Sequence, residues 1–273
     1  MSLTATAPAT GAMAEGSTAA PRTHRPIPFT RILAVELRKM FDTRSGFWLM
    51  AGVVLLSLIA SGAVLIFGGE SDVTYANMSS AIGIPMAILL PVIAVLSVTS
   101  EWSQRTGLTT FTLVPHRGRV LLAKGVNTII VGAVAMVIAL AIGALTNLLG
   151  ALAHGIAPIW ETNAADLSKI VLANVLGMLI GLMLGLVIRN SPGAIVAYFV
   201  YWFVLGNLFF LLAAHQEWFA DVERWINFQY NQTYLFDQDL VAKDWAYLGV
   251  SGILWLVLPI ALGTWRTLRA EVK

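Results

Sequence analysis

The sequence predicts an all-α polytopic membrane protein with six transmembrane helices, and three observations predict it. Apolar residues fill 58% of the 273 positions and charged residues only 12%, for a mean hydropathy of +0.77, outside the range of soluble domains. Six stretches, at about 46 to 67, 79 to 100, 125 to 149, 169 to 188, 193 to 214 and 246 to 265, reach the roughly 20 apolar residues that a helix rising about 1.5 Å per residue needs to cross hydrocarbon. The cationic residues are also sorted between alternate loops.

Residues 1–26 are rich in Ala, Thr, Pro, Ser and Gly, lack hydrophobic periodicity and lack the apolar core of a signal peptide. They are read as a disordered cytoplasmic tail, and residues 27–273 as one six-span domain. Residues 28 to 44 predict an amphipathic interfacial helix. At about 100° per residue, Phe29, Ile32, Leu33, Leu37, Met40 and Phe41 share one side, and Arg31, Arg38, Lys39 and Asp42 the other. Pro28 suits its first turn. Glu36 projects onto the apolar side and needs a partner there: Lys39 one turn on, or an arginine of the connector between spans 2 and 3.

That connector, Glu101 to Lys124, is polar, basic and tied closely to a span at each end, so it moves only if the spans move. It is Thr-rich from Thr106 to Thr112, relaxed by Gly107, and ended by Pro115 before Arg117 begins the climb into span 3. Glu101 and Arg105 are expected outside the hydrocarbon, where charge reversal leaves the spans folded. Pro85 and Pro91 kink span 2. In span 4, Ala173, Gly177, Gly181 and Gly185 recur every fourth residue, a row that lets a neighbouring helix of the same subunit approach closely.

Between spans 5 and 6, residues 215 to 245 mix Trp218, Phe219, Trp225, Phe228, Tyr230, Tyr234, Phe236 and Trp245 with acids, a composition that prefers a membrane interface to open water. In span 5, Tyr198, Trp202 and Phe209 fall within about 40° of one another on a helical projection, with Phe199, Phe203 and Phe210 on the adjoining side. Such an arc either faces lipid or holds an amphiphile by apolar contact and stacking, with the hydroxyls of Tyr198 and Tyr201 as polar contacts.

Orientation follows from charge. Fourteen of the 17 Lys and Arg residues precede span 1 (Arg22, Arg25, Arg31, Arg38, Lys39, Arg44), lie in the connector (Arg105, Arg117, Arg119, Lys124), at Arg189, or after span 6 (Arg266, Arg269, Lys273). The opposite loops hold Lys169, Arg224 and Lys243 beside ten acids. Both termini are therefore expected in the cytoplasm, and the slightly basic total charge is no sign of nucleic-acid binding.

Several classes are excluded. With no cysteine there is neither a disulfide nor a thiolate metal site. His24, His116, His154 and His215 lie in the tail or in loops, so no facing histidines hold a haem. Apart from Lys169 at the very edge of the fourth, none of the six apolar stretches contains Asp, Glu, Lys, Arg or His, which leaves ion-coupled transport without visible machinery. His-Glu-x-x-His, Gly-x-Ser-x-Gly and the phosphate-cradling Gly-x-x-x-x-Gly-Lys loop are absent. If the chain does work, another polypeptide supplies the energy.

Taken in order, the basic amphipathic helix ending Glu36-Leu-Arg-Lys-Met-Phe41, Glu101 at the end of span 2, Gly107, Pro115, Arg117 and Ala123-Lys124 opening span 3 resemble the type-2 family of ATP-binding-cassette exporter permeases. The resemblance covers roughly residues 29 to 270, and its spacing tells more than any one residue. Leu108 departs from the threonine that many relatives carry after the glycine. The resemblance implies a cytoplasmic coupling helix within about 101 to 119, seated on an ATPase, with Glu101, Arg105, Gly107, Phe111, Pro115, Arg117 and Lys124 as coupling residues and Glu36, Arg38 and Lys39 serving the interfacial helix. It implies a re-entrant pair of short helices at 215 to 245, and a substrate path along spans 2 and 5, which favours Tyr198, Tyr201, Trp202 and Phe209. Its implied partners are two copies of a cytoplasmic ATPase carrying ATP and Mg, a second permease subunit that is its own copy, and membrane lipid. This chain is expected to bind no metal or cofactor and to be no enzyme by itself. The implied setting is a bacterial plasma membrane, and the implied function is ATP-driven export of an amphiphilic or lipophilic molecule, such as a drug, antibiotic or lipid-like compound, by alternating access. A non-transporting membrane scaffold or sensor partner that kept the fold is the alternative.

Overall fold

The computed structural model describes residues 27–103, 117–237 and 239–269. In chain order the helices are α1 (Phe29–Phe41), α2 (Arg44–Phe67), α3 (Tyr75–Ser103), α4 (Arg117–His154), α5 (Ala164–Ile188), α6 (Ser191–His215), α7 (Glu217–Ile226), α8 (Phe228–Asp237) and α9 (Ala242–Arg269). Six of them, α2 to α6 and α9, are long and apolar enough to cross a membrane. Each contains one expected span and overruns it at one or both ends, because backbone hydrogen bonding continues past the apolar run. Among the described residues there is no strand, only an isolated bridge between Thr74 and Ile159.

Helices α3 and α5 are the most buried, while α2 and α6 lie at the periphery. One core joins α2, α3, α4 and α5 through Val53, Ile82, Leu90, Ile93, Met136, Met178 and Leu182. A second joins α5, α6, α8 and α9 through Ile180, Met183, Tyr198, Tyr201, Phe228, Leu235 and Leu256.

The small-residue row of α5 is spent inside the subunit. A Cβ on Gly181 would lie 2.2 Å from the Pro91 carbonyl oxygen, and one on Gly185 would lie 3.1 Å from that of Val95, so α3 and α5 pack backbone to backbone. Higher up, the space left at Gly177 admits Gln232 of α8.

Pro91 removes the N–H that would have bonded to the Ala87 carbonyl four residues earlier. The hydroxyl of Tyr198 in α6 donates to that carbonyl at 3.0 Å, so the freed acceptor is met by a neighbouring helix. Two helices are also interrupted: α6 passes through a π turn at Tyr201–Leu205 and α9 through another at Ile253–Val257.

Helix α1 turns its apolar side to protein. Ile32 packs with Val120 and Ala123 of α4, Met40 joins the main core, and Asn127 Nδ2 donates to the Leu33 carbonyl at 2.9 Å. Arg38 is exposed on the other side. Thr43 caps α2 by accepting from Gly46 N–H at 3.0 Å, and a Cβ on Gly46 would meet the Met40 carbonyl at 2.4 Å. The turn between α1 and α2 therefore requires glycine there.

Candidate functional site

Four of the residues singled out in the sequence come together. Glu36 and Lys39 of α1 meet Glu101 near the end of α3 and Lys124 two turns into α4. Lys39 Nζ donates to Glu36 Oε1 at 2.7 Å and to Glu101 Oε1 at 3.0 Å. Lys124 Nζ stands 2.6 Å from Glu36 Oε2 and 3.3 Å from Glu101 Oε1. It meets Glu36 as an ion pair, and the ammonium also donates to the Ser97 carbonyl at 2.7 Å.

The Glu36 and Lys124 side chains are each 4% exposed, Glu101 10% and Lys39 40%. Two carboxylates and two ammonium groups sum to zero, which is the condition for keeping charge out of water. Burial by itself would lower the Lys39 pKa, but hydrogen bonding to Glu36 and the charge of Glu101 outweigh it, holding the ammonium above the usual lysine value.

The cluster bears out one expectation and undercuts another. Glu36 was expected to pair with Lys39 or an arginine of the connector; it pairs with Lys39 and with Lys124. Glu101 was expected outside the hydrocarbon, with its charge open to reversal; it is instead enclosed by protein, 8% exposed, because α3 keeps its helical path beyond the apolar run and α1 closes over its end. Reversing its charge would set three cations around one carboxylate.

The same end of α3 is held from a second side. Ser191 Oγ donates to Thr99 Oγ1 at 2.8 Å and lies 2.9 Å from Ser103 Oγ. The Arg189 guanidinium sits 4.9 Å above the Trp102 ring and donates to Thr267 Oγ1 at 3.0 Å. Arg105, Gly107, Phe111 and Pro115 lie outside the described residues, and Arg117 begins α4.

At the opposite end of the bundle, α7 and α8 form a hairpin that turns Glu223, Asn227, Asn231 and Gln232 inward. Gln232 donates to the Ala173 carbonyl at 2.8 Å, Gln229 to the Trp202 carbonyl at 2.8 Å, and Trp255 Nε1 to the Ile226 carbonyl at 2.7 Å. Asn227 donates to Glu223, and Asn231 to the Arg224 carbonyl and to Ser251. Arg224 pairs with Asp244 at 2.9 Å and lies over the rings of Tyr234 and Tyr247. Gln229 thus satisfies a carbonyl inside the π turn of α6, where regular helical bonding lapses.

Below this hairpin a cavity of about 490 Å³ opens between α3, α4, α5, α6 and α8. Of the four span-5 aromatics, Trp202 lines it. Tyr198 is buried with its hydroxyl committed to Ala87. Tyr201 points the other way, against Trp255 at 6.0 Å between ring centroids. Phe209 packs edge-on against Phe219 of α7 at 5.7 Å. The projection at a constant 100° grouped Phe209 with Trp202; the intervening π turn winds more slowly and rotates Phe209 away. The cavity residues Ser79 and Thr162 and the hairpin glutamines were not foreseen, although Asn227, Gln229, Asn231 and Gln232 interleaved with aromatics are an unusual polar density for a membrane-facing segment.

No protein-family model matches the chain, and no curated protein matches it either.

Proposed function

We propose that the chain is the membrane subunit of an ATP-driven exporter of lipophilic or amphiphilic molecules, working as a pair with its own copy on two cytoplasmic ATP-binding-cassette ATPase chains. The observation that carries this reading is the charge cluster. Glu101 ends α3 and Lys124 stands near the start of α4, so the segment joining these helices is gripped at both ends by the same four side chains, half of them from α1. A push on that segment reaches α1, α3 and α4 together. Helix α3 in turn carries the Pro91 contact with α5 and the Ala87 contact with Tyr198, and these helices wall the cavity. The segment is then the handle and the cavity its load.

The chain carries no nucleotide loop of its own, so hydrolysis belongs to the partner, and the ATP and Mg sit there. The test is purification of the tagged chain from its native membrane. An ATP-binding-cassette ATPase co-purifies, and Lys39→Met, at the most exposed cluster position, reduces substrate-stimulated hydrolysis while retaining the complex. A complex devoid of such an ATPase would overturn export and leave the scaffold alternative.

A further inference from the structure

We infer that the cavity beneath the hairpin is a binding site for a neutral lipophile bearing a single hydrogen-bonding head, such as an alcohol, ketone or amide. At about 490 Å³ it falls within the roughly 300–1,000 Å³ of small-molecule sites. Among the described residues, no charged side chain lines it. A charge entering it would lose its hydration with nothing to replace it, so the occupant is uncharged. Its walls are apolar, with Met136, Leu140, Ile170 and the Trp202 indole among them.

Two hydroxyls lie just beneath that surface, the one on Ser79 turned against Gly143 of α4. Ser79 is 8% exposed, and neither its Oγ nor the Oγ1 of Thr162 has a hydrogen-bond partner. Buried hydroxyls are nearly always bonded; here both side chains line the cavity. Most other polar groups nearby are committed: Tyr75 donates to the Leu140 carbonyl and Thr233 to that of Tyr230. A side-chain rotation of Ser79 or Thr162 toward the cavity then gives a head group both a donor and an acceptor. Trp202 is held as a fixed wall by the Gln229 hydrogen bond to its carbonyl and by offset stacking on Tyr198. The rim passes Ile84, which is 61% exposed, so a ligand enters from the apolar surface of α3. The site stands on this geometry; its place on an export route rests on the function proposed above.

The cysteine-free chain permits a direct test. Thr233→Cys, or Ala76→Cys as a second reporter, is placed in the full chain in phosphatidylcholine nanodiscs and alkylated with N-ethylmaleimide at pH 9. Present at four times its Kd, 1-decanol slows alkylation about fivefold; decanoate does not. Adding Ser79→Ala raises the decanol concentration required by roughly fivefold, the worth of one hydrogen bond, and leaves that for decane unchanged. A control at Leu152→Cys, 78% exposed on α4, reports bulk partitioning. Equal slowing there, equal protection by decanoate, or equal weakening of decane by Ser79→Ala overturns the site. Protection that leaves ATP hydrolysis of the purified complex unaltered upholds the site while removing it from the export route.

Discussion

Lys124 Nζ lies 2.6 Å from Glu36 Oε2, and each side chain is 4% exposed. This pair ties α1 to α4 in an interior where neither charge survives alone. Replacing Lys124 with Met leaves two buried carboxylates with only Lys39 between them and should cost about 3–5 kcal/mol of stability. Glu36→Gln together with Lys124→Met restores neutrality and should recover more than half of that loss. Denaturant titration in detergent, followed by helical circular dichroism, gives both values; additive losses would mean that the two residues do not interact.

Alkaline pH should loosen the same cluster through Lys39. Its folded-state pKa is raised above the usual 10.5, so the ammonium's stabilising contribution is complete below 10.5 and is lost as pH rises through the folded value. The difference in melting temperature between the wild type and Lys39→Met should therefore be larger at pH 8 than at pH 11. A gap independent of pH would show that Lys39 acts through its aliphatic stem rather than its charge.

Much of this architecture was legible in the sequence, and the parts that were not share a cause. The six spans follow from apolar length, which depends only on neighbours in the chain. Glu36, Lys39, Glu101 and Lys124 were each singled out, yet their convergence was not, since it depends on how α1 folds back over α3 and α4. The row at Gly177, Gly181 and Gly185 was legible as a close contact; its partner, the Pro91 turn of α3, was not. The aromatic arc failed at Phe209 because nothing in Tyr201-Trp-Phe-Val-Leu205 announces a π turn. Gln232, within the 215 to 245 segment whose composition prefers a membrane interface, is 2% exposed, because its amide reaches the Ala173 carbonyl through the space that Gly177 leaves.

That burial changes how orientation is tested. Single cysteines at Ser71 and Glu217, both exposed beyond the hairpin end of the spans, should react with an impermeant maleimide added to intact cells, and Ser103→Cys only after permeabilisation. Gln232→Cys should resist labelling in either case. External labelling at Ser103 would invert the topology expected from the cationic residues.

The glycine row predicts a graded series. Alanine at Gly181 places a methyl 2.2 Å from the Pro91 carbonyl oxygen, a backbone atom, whereas alanine at Gly177 meets the flexible end of Gln232 at 3.1 Å. Gly181→Ala should cost at least the about 1–3 kcal/mol of an overpacked core, and Gly177→Ala clearly less. Equal costs in an unfolding titration would place the α3–α5 contact elsewhere.

The contact between Tyr198 and Ala87 sets the sharpest test, because its cause lies at a third position. The Ala87 carbonyl is free only because Pro91 has no N–H to offer it, and the Tyr198 hydroxyl supplies the missing donor at 3.0 Å. Tyr198→Phe should then leave a part-buried carbonyl without that donor, at a cost of about 1–3 kcal/mol. In a Pro91→Ala background the helix recovers its own donor, so the same substitution should cost far less. The coupling energy of this double-mutant cycle separates a hydrogen bond made necessary by the proline from one that is merely present. A Tyr198→Phe penalty of equal size in both backgrounds would mean that the ring, stacked 6.5 Å from Trp202, contributes through packing alone.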